Sequence, residues 1–361
     1  AGVHETARYT SHMLMADDDT CIEGYRALAQ KIHAQGTKIF GQLFHPGREI
    51  METDDGTAPV AYAPSAVPNS RFGVMPVTLD HAMINEIIEG YAASAFRLKQ
   101  AGLDGCEIVA SHGYLPAQFL NPAINQREDE YGGSLENRMR FIKEIATALR
   151  MRVGDDFIVG LRLSGDERDA EAIDQNEVIA VCAALDQLNA YDYYHVIAGT
   201  SASLQGAIHI VPPMYYETAY VAPFASKVKA RVNAPVMVTG RINQPQIAEQ
   251  ILSEGRADFC GMTRALIADP EMPNKARNHR FDDIRACIAC NQACIGHFHK
   301  GYPISCIQYP ETGRELTLAA GKTPTKHKKK ILIAGGGPAG MKAASVLATR
   351  GHHVTLCEAS S

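Results

Sequence analysis

The 361 residues contain no tryptophan and only 7% aromatic residues, so no indole-walled cage for a quaternary-like cation can be assembled from them. Basic residues are not in excess: 35 Lys and Arg face 40 Asp and Glu, for a net charge of −5 and a pI of about 6.3. A nucleic-acid binder would concentrate positive charge on one face. The only like-charge run, Lys328-Lys329-Lys330, suits a linker. No apolar stretch approaches the roughly 18 residues of a membrane span. Ala1-Gly2-Val3-His4-Glu5 does not resemble a signal peptide. Low-complexity tracts and internal repeats are missing too. The expectation is a soluble, cytoplasmic protein with no nucleic-acid and no membrane partner. What is present, 46% hydrophobic and 21% charged residues, is ordinary globular composition.

The nine cysteines are unevenly spread. Cys21, Cys106, Cys182, Cys260 and Cys357 stand alone, whereas Cys287, Cys290, Cys294 and Cys306 fall within twenty residues. An odd count with one tight cluster points to a metal or cofactor site in a reducing compartment rather than a disulfide framework.

From Thr20 to about Asp269, short β-branched runs alternate with longer amphipathic segments. The expected strands are Lys38–Leu43, Cys106–Ala110, Phe157–Leu163, Tyr193–Ile197, Val236–Thr239 and Asp258–Met262. The expected helices are Cys21–Ala34, Ile84–Gln100, Asn137–Arg152, Glu177–Asn189, Ala222–Val232 and Pro245–Ser253. Ile84, Ile87, Ile88, Tyr91, Ala95 and Leu98 have the spacing of a helix covering a sheet. The run Phe157–Leu163 is nearly continuous and apolar, as a parallel strand buried on both faces requires. Repeated βα units make an α/β fold, and polar residues at many strand ends favour a (β/α)8 TIM barrel over an open sheet. Six units are visible where a barrel has eight. The N-terminal units are therefore expected to be missing, with residues 1–280 forming the rest of the barrel. Residues 281–320 would form a cysteine-rich segment. Residues 321–361 would form a linker and the first βαβ unit of a Rossmann-like nucleotide-binding domain, itself cut short.

Four thiolates suit either zinc or a [4Fe–4S] cluster. Structural zinc sites usually pair two short knuckles. Here Cys287, Cys290 and Cys294 crowd one loop and Cys306 follows after eleven intervening residues, which suits ligands wrapped around a cubane. Gly335, Gly337 and Gly340 form G-x-G-x-x-G between an apolar strand and a helix, where backbone can approach a pyrophosphate. Glu358 ends the next strand, where an acid can hold a ribose. Gly240-Arg241 and Gly261-Met262-Thr263-Arg264 close two late strands, the place where such barrels build phosphate sites. Arg162 ends a strand that should be buried, so its guanidinium needs an anionic or polar partner. His112 and Tyr114 place an imidazole and a phenol together after a strand, and His209 falls on an expected loop.

Gly113–Pro122, Asn125–Ser134 and Glu136-Asn137-Arg138 resemble the old yellow enzyme superfamily. The cysteine and glycine motifs narrow the resemblance to its multicentre branch of NADH:flavin oxidoreductases, which includes 2,4-dienoyl-CoA reductase, trimethylamine dehydrogenase and N-demethylases. The resemblance implies an FMN-dependent oxidoreductase. Gln42 would bond the flavin pyrimidine, and Arg162 would stabilise anionic reduced flavin. Gly240, Arg241, Gly261, Thr263 and Arg264 would hold the FMN phosphate. His112 would orient substrate and Tyr114 would donate a proton. Cys287, Cys290, Cys294 and Cys306 would hold a [4Fe–4S] cluster. Gly335, Gly337, Gly340 and Glu358 would begin a site for FAD or ADP. In the reductive direction NAD(P)H is the electron source and an enoyl thioester or other activated alkene the substrate. The alternative is oxidation of an N-methylated amine, as in amine dehydrogenases and N-demethylases. The cysteine spacing resembles the reductases. His112 and Tyr114–Pro122 resemble the amine dehydrogenases, although only Tyr215, Tyr216 and Tyr220 remain to form a cage. Beyond the small-molecule substrate, the expected partner is a second copy of the chain or a separate electron acceptor. A reading from another class is a zinc-stabilised, non-redox nucleotide-binding protein.

Overall fold

A computed structural model describes residues 1–10, 13–51, 60–318 and 323–360. The chain divides into two compact units, Ala1–Thr263 and Arg264–Ser361. Gly321 and Lys322, which open the expected linker, lie outside the described residues.

In the first unit, α1 (Cys21–His33) leads to β1 (Phe40–Leu43). A short parallel pair, β2 (Tyr62–Ala63) and β3 (Val77–Thr78), precedes α2 (His81–Gln100). Next come β4 (Gly105–Ala110), α3 (Leu115–Leu120), α4 (Leu135–Arg138) and α5 (Arg140–Val153). Then β5 (Ile158–Asp166), α6 (Gln175–Gln187), β6 (Tyr193–Ala198), α7 (Leu204–Ile210) and α8 (Ala222–Lys229) follow. The last elements are β7 (Val236–Thr239), α9 (Pro245–Ser253) and β8 (Phe259–Gly261). The main sheet has the order β1-β4-β5-β6-β7-β8, and every neighbouring pair is parallel. This is the α/β, TIM-barrel-like architecture with a curled parallel sheet.

Register decides which side chains share a face. Gln42 pairs with Glu107, Glu107 with Gly160, Gly160 with Tyr193, Arg162 with His195 and Thr239 with Gly261. Strand side chains alternate with a period of two. Gln42, Glu107, Arg162, Tyr193, His195 and Thr239 therefore project from one face. The opposite face carries Ile108, Leu161, Tyr194 and Val238, all buried in the core. That core is shared with Ile84, Ile87, Tyr91 and Leu98 of α2 and with Ile142, Ile145 and Leu149 of α5. Each such aliphatic side chain contributes about 1.5–3 kcal/mol by leaving water.

Helix starts are fixed by side-chain caps: Asp80 accepts from Met83 N, Ser134 from Asn137 N, Asp174 from Asn176 N and Ser203 from Gly206 N. The Ser134 cap corrects one expectation, since the segment expected as a single helix over Asn137–Arg152 is two helices that meet at Met139. The first strand contact also comes earlier than Lys38. Gly2 makes parallel bridges with Phe44 and Met15, and Val3 is buried.

The second unit begins within α10 (Thr263–Ala268) and contains α11 (Met272–Arg277), α12 (Ile295–Phe298) and α13 (Glu315–Leu318) around the cysteine segment. It ends with β9 (Lys330–Ala334), α14 (Pro338–Thr349) and β10 (His353–Cys357), with β9 and β10 parallel and adjacent. Among the described residues no helix is long and apolar enough to cross a membrane.

Candidate functional site

On the inner face of the first unit's sheet, polar side chains are linked across four strands. Gln42 Nε2 donates to Glu107 Oε1 (2.5 Å), and Tyr193 OH donates to Glu107 Oε2 (3.0 Å). His195 Nδ1 lies 2.8 Å from Glu107 Oε2, and His195 Nε2 lies 2.7 Å from Thr239 Oγ1. Glu107 and His195 are both buried. Burial pushes against the charge on Glu107, but the His195 hydrogen bond, the Arg162 charge and the Gln42 amide outweigh it and hold the carboxyl below its usual range. Burial lowers His195 despite that carboxylate. The pair is therefore an ionised Glu107 and a neutral His195 donating through Nδ1.

Arg162 faces the same side, in register with His195. Its Nε is buried and has no hydrogen-bond partner among the described residues. Burial bears down on this guanidinium, and Glu107 supports its charge. A buried, unsatisfied cationic donor is costly unless something supplies an acceptor. Gln42 is exposed on this face.

At the end of β4 the backbone turns through two successive left-handed residues, His112 (φ 61°) and Gly113 (φ 74°). A Cβ at Gly113 would meet Thr200 Oγ1 at 2.4 Å, so glycine is required there. Ser201 fixes the turn by donating from N (2.8 Å) and Oγ (2.7 Å) to the His112 carbonyl. Ser111 Oγ lies 2.8 Å from His112 Nδ1. The Tyr114 ring packs on Phe44, His112 and Tyr9, with centroids 5.1, 5.4 and 6.0 Å apart. Burial, with the nearby charges of Arg162 and His195, lowers His112 well below the usual imidazole range. Burial raises Tyr114. At neutral pH the imidazole is uncharged and the phenol keeps its proton.

Beyond β7, Arg241 has φ 52° and donates from Nη1 to Pro213 O (3.0 Å), while its Nε is buried without a partner among the described residues. A Cβ at Gly240 would meet Val221 at 2.2 Å, and one at Gly261 would meet Thr239 Oγ1 at 1.9 Å. Thr263 is exposed. Arg264 belongs to the second unit, where Nη1 donates to Asn291 Oδ1 (2.8 Å).

In the second unit Cys287, Cys290, Cys294 and Cys306 are all half-buried, free of disulfides, and line one cavity together with Arg264, Asn291 and Gln308. Ser305 N donates to Ala293 O (2.6 Å) and Gln308 Nε2 to Ala286 O (2.9 Å), which returns Cys306 to the first three. Ala289 and Asn291 adopt φ 54° and 58°, and Ala289 N donates to Cys287 Sγ (3.4 Å). Burial raises the Cys287 thiol, against the pull of that N–H and of Arg264. Among the described residues, the one group of three or more ligand-type side chains with all donor atoms within 4.8 Å of one another is His81, Asp129 and Glu130. No three cysteine sulfurs come that close. A single tetrahedral zinc, with Zn–S near 2.3 Å, needs sulfurs about 3.8 Å apart. The four cysteines thus share one cavity without the close packing of sulfurs that a single zinc would need.

The glycine-rich turn lies between β9 and α14. Gly335 has φ 104°, and a Cβ at Gly340 would sit 2.0 Å from Gly335 O. Glu358 Oε2 accepts from Gly336 N (2.6 Å), and Oε1 accepts from Ala359 N (2.7 Å) and Ser360 N (3.3 Å). These backbone N–H groups hold the carboxyl below its usual range. Gly337 is the N-cap of α14.

His209 lies in α7 rather than on the expected loop, because the Ser203 cap closes a short helix that the glycine within it and the prolines after it had obscured. Its ring meets Tyr216 (4.6 Å) and Tyr220 (5.9 Å), while Tyr215 is 91% exposed. His209 also lines an open cavity of about 500 Å³ with Asp166, Arg168, Asp169 and Gln205. Sequence reasoning missed Glu107, Tyr193, His195 and Thr239. The available signal was an acid and an imidazole inside otherwise apolar parallel strands.

The profile of the NADH:flavin oxidoreductase / NADH oxidase family matches residues 1–283. The chain is 42% identical over 349 residues to a metal reductase of Desulforamulus reducens, covering 96% of this chain and 51% of that protein. It is 38% identical over 344 residues to an N,N-dimethylglycine/sarcosine dehydrogenase of Chromohalobacter salexigens, covering 95% and 49%. The structure of a 2-naphthoyl-CoA reductase in complex with 2-naphthoyl-CoA matches with a TM-score of 0.91 at 31% identity, over 99% of this chain and 55% of that one. The chain spans about half the length of the relatives it matches.

Proposed function

The chain belongs to the NADH:flavin oxidoreductase / NADH oxidase family, and on that premise we propose a reductase whose FMN lies on the sheet's inner face and whose cysteines carry a [4Fe–4S] cluster. It is an FMN-dependent oxidoreductase, so the non-redox reading falls. The observation that carries the proposal is the pair of buried guanidinium nitrogens with no partner among the described residues, Arg162 Nε on the sheet face that also bears Gln42 and Arg241 Nε in the turn beside Gly240.

Gln42 and Arg162 would hold the flavin ring, and Gly240, Arg241, Gly261 and Thr263 its phosphate. Cys287, Cys290, Cys294 and Cys306 would hold the cluster, with the Arg264 charge beside them. Gly335, Gly337, Gly340 and Glu358 would begin a site for FAD or ADP. Bound FMN supplies hydride chemistry and the cluster supplies single-electron transfer between flavin sites. Arg162 supports negative charge on a reduced ring. The protonated Tyr114 phenol donates to the alkene carbon that does not receive hydride, which fits a group whose burial keeps it neutral. His112, neutral and held by Ser111, bonds the substrate carbonyl and orients it. The proposed substrate class is an enoyl thioester or similarly activated alkene, with NAD(P)H as reductant.

A second reading, oxidation of an N-methylated amine, draws on the His209, Tyr216 and Tyr220 cluster. His209 also lines a cavity that carries Asp166 and Asp169, which is chemistry suited to an amine. An anaerobic absorbance titration separates the two. Flavin bleaching by NADH or NADPH alone supports the reductase. Bleaching by N-methylated amines, with no response to nicotinamide, overturns it in favour of the amine dehydrogenase.

A further inference from the structure

We propose that Glu107 is a positioning residue that determines which end of the Gln42 amide meets the flavin, an inference that rests on the flavin reading above. An ionised carboxylate can only accept hydrogen bonds, and Glu107 has three donors around it: Gln42 Nε2, Tyr193 OH and His195 Nδ1. The Gln42 NH2 group must therefore face Glu107, leaving Oε1 on the far side of the amide. Among the described residues no donor reaches that oxygen. The pyrimidine edge of an isoalloxazine carries one N–H between two carbonyl oxygens. A glutamine that presents only its oxygen selects the N–H and is mismatched with the carbonyls.

The same logic runs through the rest of the chain of bonds. With Nδ1–H committed to Glu107, neutral His195 offers Nε2 as an acceptor, and the Thr239 hydroxyl donates to it. Every bond then has one direction, from Thr239 to His195 to Glu107 and from Gln42 to Glu107. Thr239 directly precedes Gly240-Arg241, so ring recognition and the phosphate turn end one directed circuit. Glu107 also balances the Arg162 charge on the same face. Replacing it by a neutral group leaves Arg162 uncompensated and favours the reduced, anionic ring.

The test uses the whole chain and FMN itself, with affinity read from flavin fluorescence and the midpoint potential from dye-coupled reduction. Glu107→Gln keeps the shape of the side chain, and Gln42→Leu removes the amide. Each single variant is expected to weaken FMN about tenfold, the size of one charge-assisted hydrogen bond, and the double variant is expected to be no worse than the weaker-binding single. The Glu107→Gln potential is expected to move positive. Effects that multiply to about a hundredfold in the double variant, or an unchanged affinity and potential in Glu107→Gln, overturn the inference. Gln42→Glu probes the same contact from the exposed side. Its second carboxyl, placed against Glu107 with Tyr193, His195 and Arg162 as the other titratable neighbours, should make FMN affinity fall as pH rises. A pH-independent affinity in that variant counts against the inference. A wild-type chain that takes up no FMN overturns the flavin reading instead.

Discussion

The two units hold their chemistry in opposite ways. In the first, the polar groups sit on a sheet face whose other side is packed with helices, and strand register aligns Gln42, Glu107, Arg162 and His195. In the second, the groups sit on turns with little core beneath them. No residue of α14 is buried, Leu332 of β9 is 71% exposed, and Glu358 is fixed by backbone N–H groups in water. Residues far apart in sequence make the first site, and residues at fixed short spacings make the second. A site built by register fails through packing and charge. A site built by spacing fails through loss of a ligand or of a turn.

The largest expected effect isolates the second unit's chemistry. Cys290→Ala together with Cys306→Ala should abolish iron binding and the broad absorbance near 400 nm (an approximate position for a thiolate-held cluster) while FMN stays bound. Iron and flavin assays on one sample check this, and loss of both cofactors would break the comparison. Next, Tyr114→Phe should slow alkene reduction by about 10²–10⁴-fold, the usual weight of a general acid. Flavin reduction by nicotinamide should not change, and stopped-flow traces of the two half-reactions decide the point. Third, paired glycine substitutions sharpen the contrast. A Cβ at Gly160 would sit 2.1 Å from the Tyr193 ring, so Gly160→Ala should cost the first unit about 1–3 kcal/mol of stability. Gly340→Ala, blocked by the Gly335 carbonyl, should remove ADP affinity and leave that stability unchanged. Calorimetry and ADP titration on both variants measure this, and retained ADP affinity in Gly340→Ala would sink the assignment of the turn.

The smallest effect is in pH. Burial pushes Glu49 up to about 8 and Glu167 to about 7, so each holds a proton in the fold that it gives up when unfolded above about 4.5. Their contribution is complete below that value and is lost as pH rises through 7 and 8. Burial lowers His45 to about 3 and also lowers His112, so these groups make stability rise with pH up to about 6.5. These four groups place a maximum near pH 6.5 and a fall towards pH 8, a fall opposed by the buried Ala1 amino group, lowered to about 5, which makes stability rise with pH up to about 8. Glu358 shifts the opposite way from the buried acids, so its contribution is lost only as pH falls below about 4.5. Melting temperatures from pH 5 to 9 test the sign. A slope between 6.5 and 8 that is unchanged when both Glu49→Gln and Glu167→Gln are introduced contradicts it.

Much of the architecture was legible in the sequence because local signals carry it. Val236–Thr239 and Pro245–Ser253 were read with the bounds they have, from β-branched residues and from Pro at a helix start. The four cysteines and the glycine turn were legible because spacing is itself the signal. The pair Tyr62–Ala63 and Val77–Thr78 was not, since two-residue strands have no periodicity to read. The Glu107–His195 contact was hidden for a different reason. Its partners are 88 positions apart, and only register across β5 brings them together. Arg162 was singled out because a guanidinium in an apolar run has to be satisfied, which is the rule that also marks Glu107.

The directed circuit has a bearing on how small a working piece of this protein can be. Its bonds close loops of 65, 88 and 44 residues, and each one depends on its neighbours for the direction of its proton. Circular permutation could cut the chain in a surface connection and keep the circuit whole. Excising any stretch shorter than residues 42–239 would remove a member and leave a buried acid or imidazole without its partner. The proposed capacity to read a flavin ring would in that sense be indivisible, since it needs every member of the circuit at once.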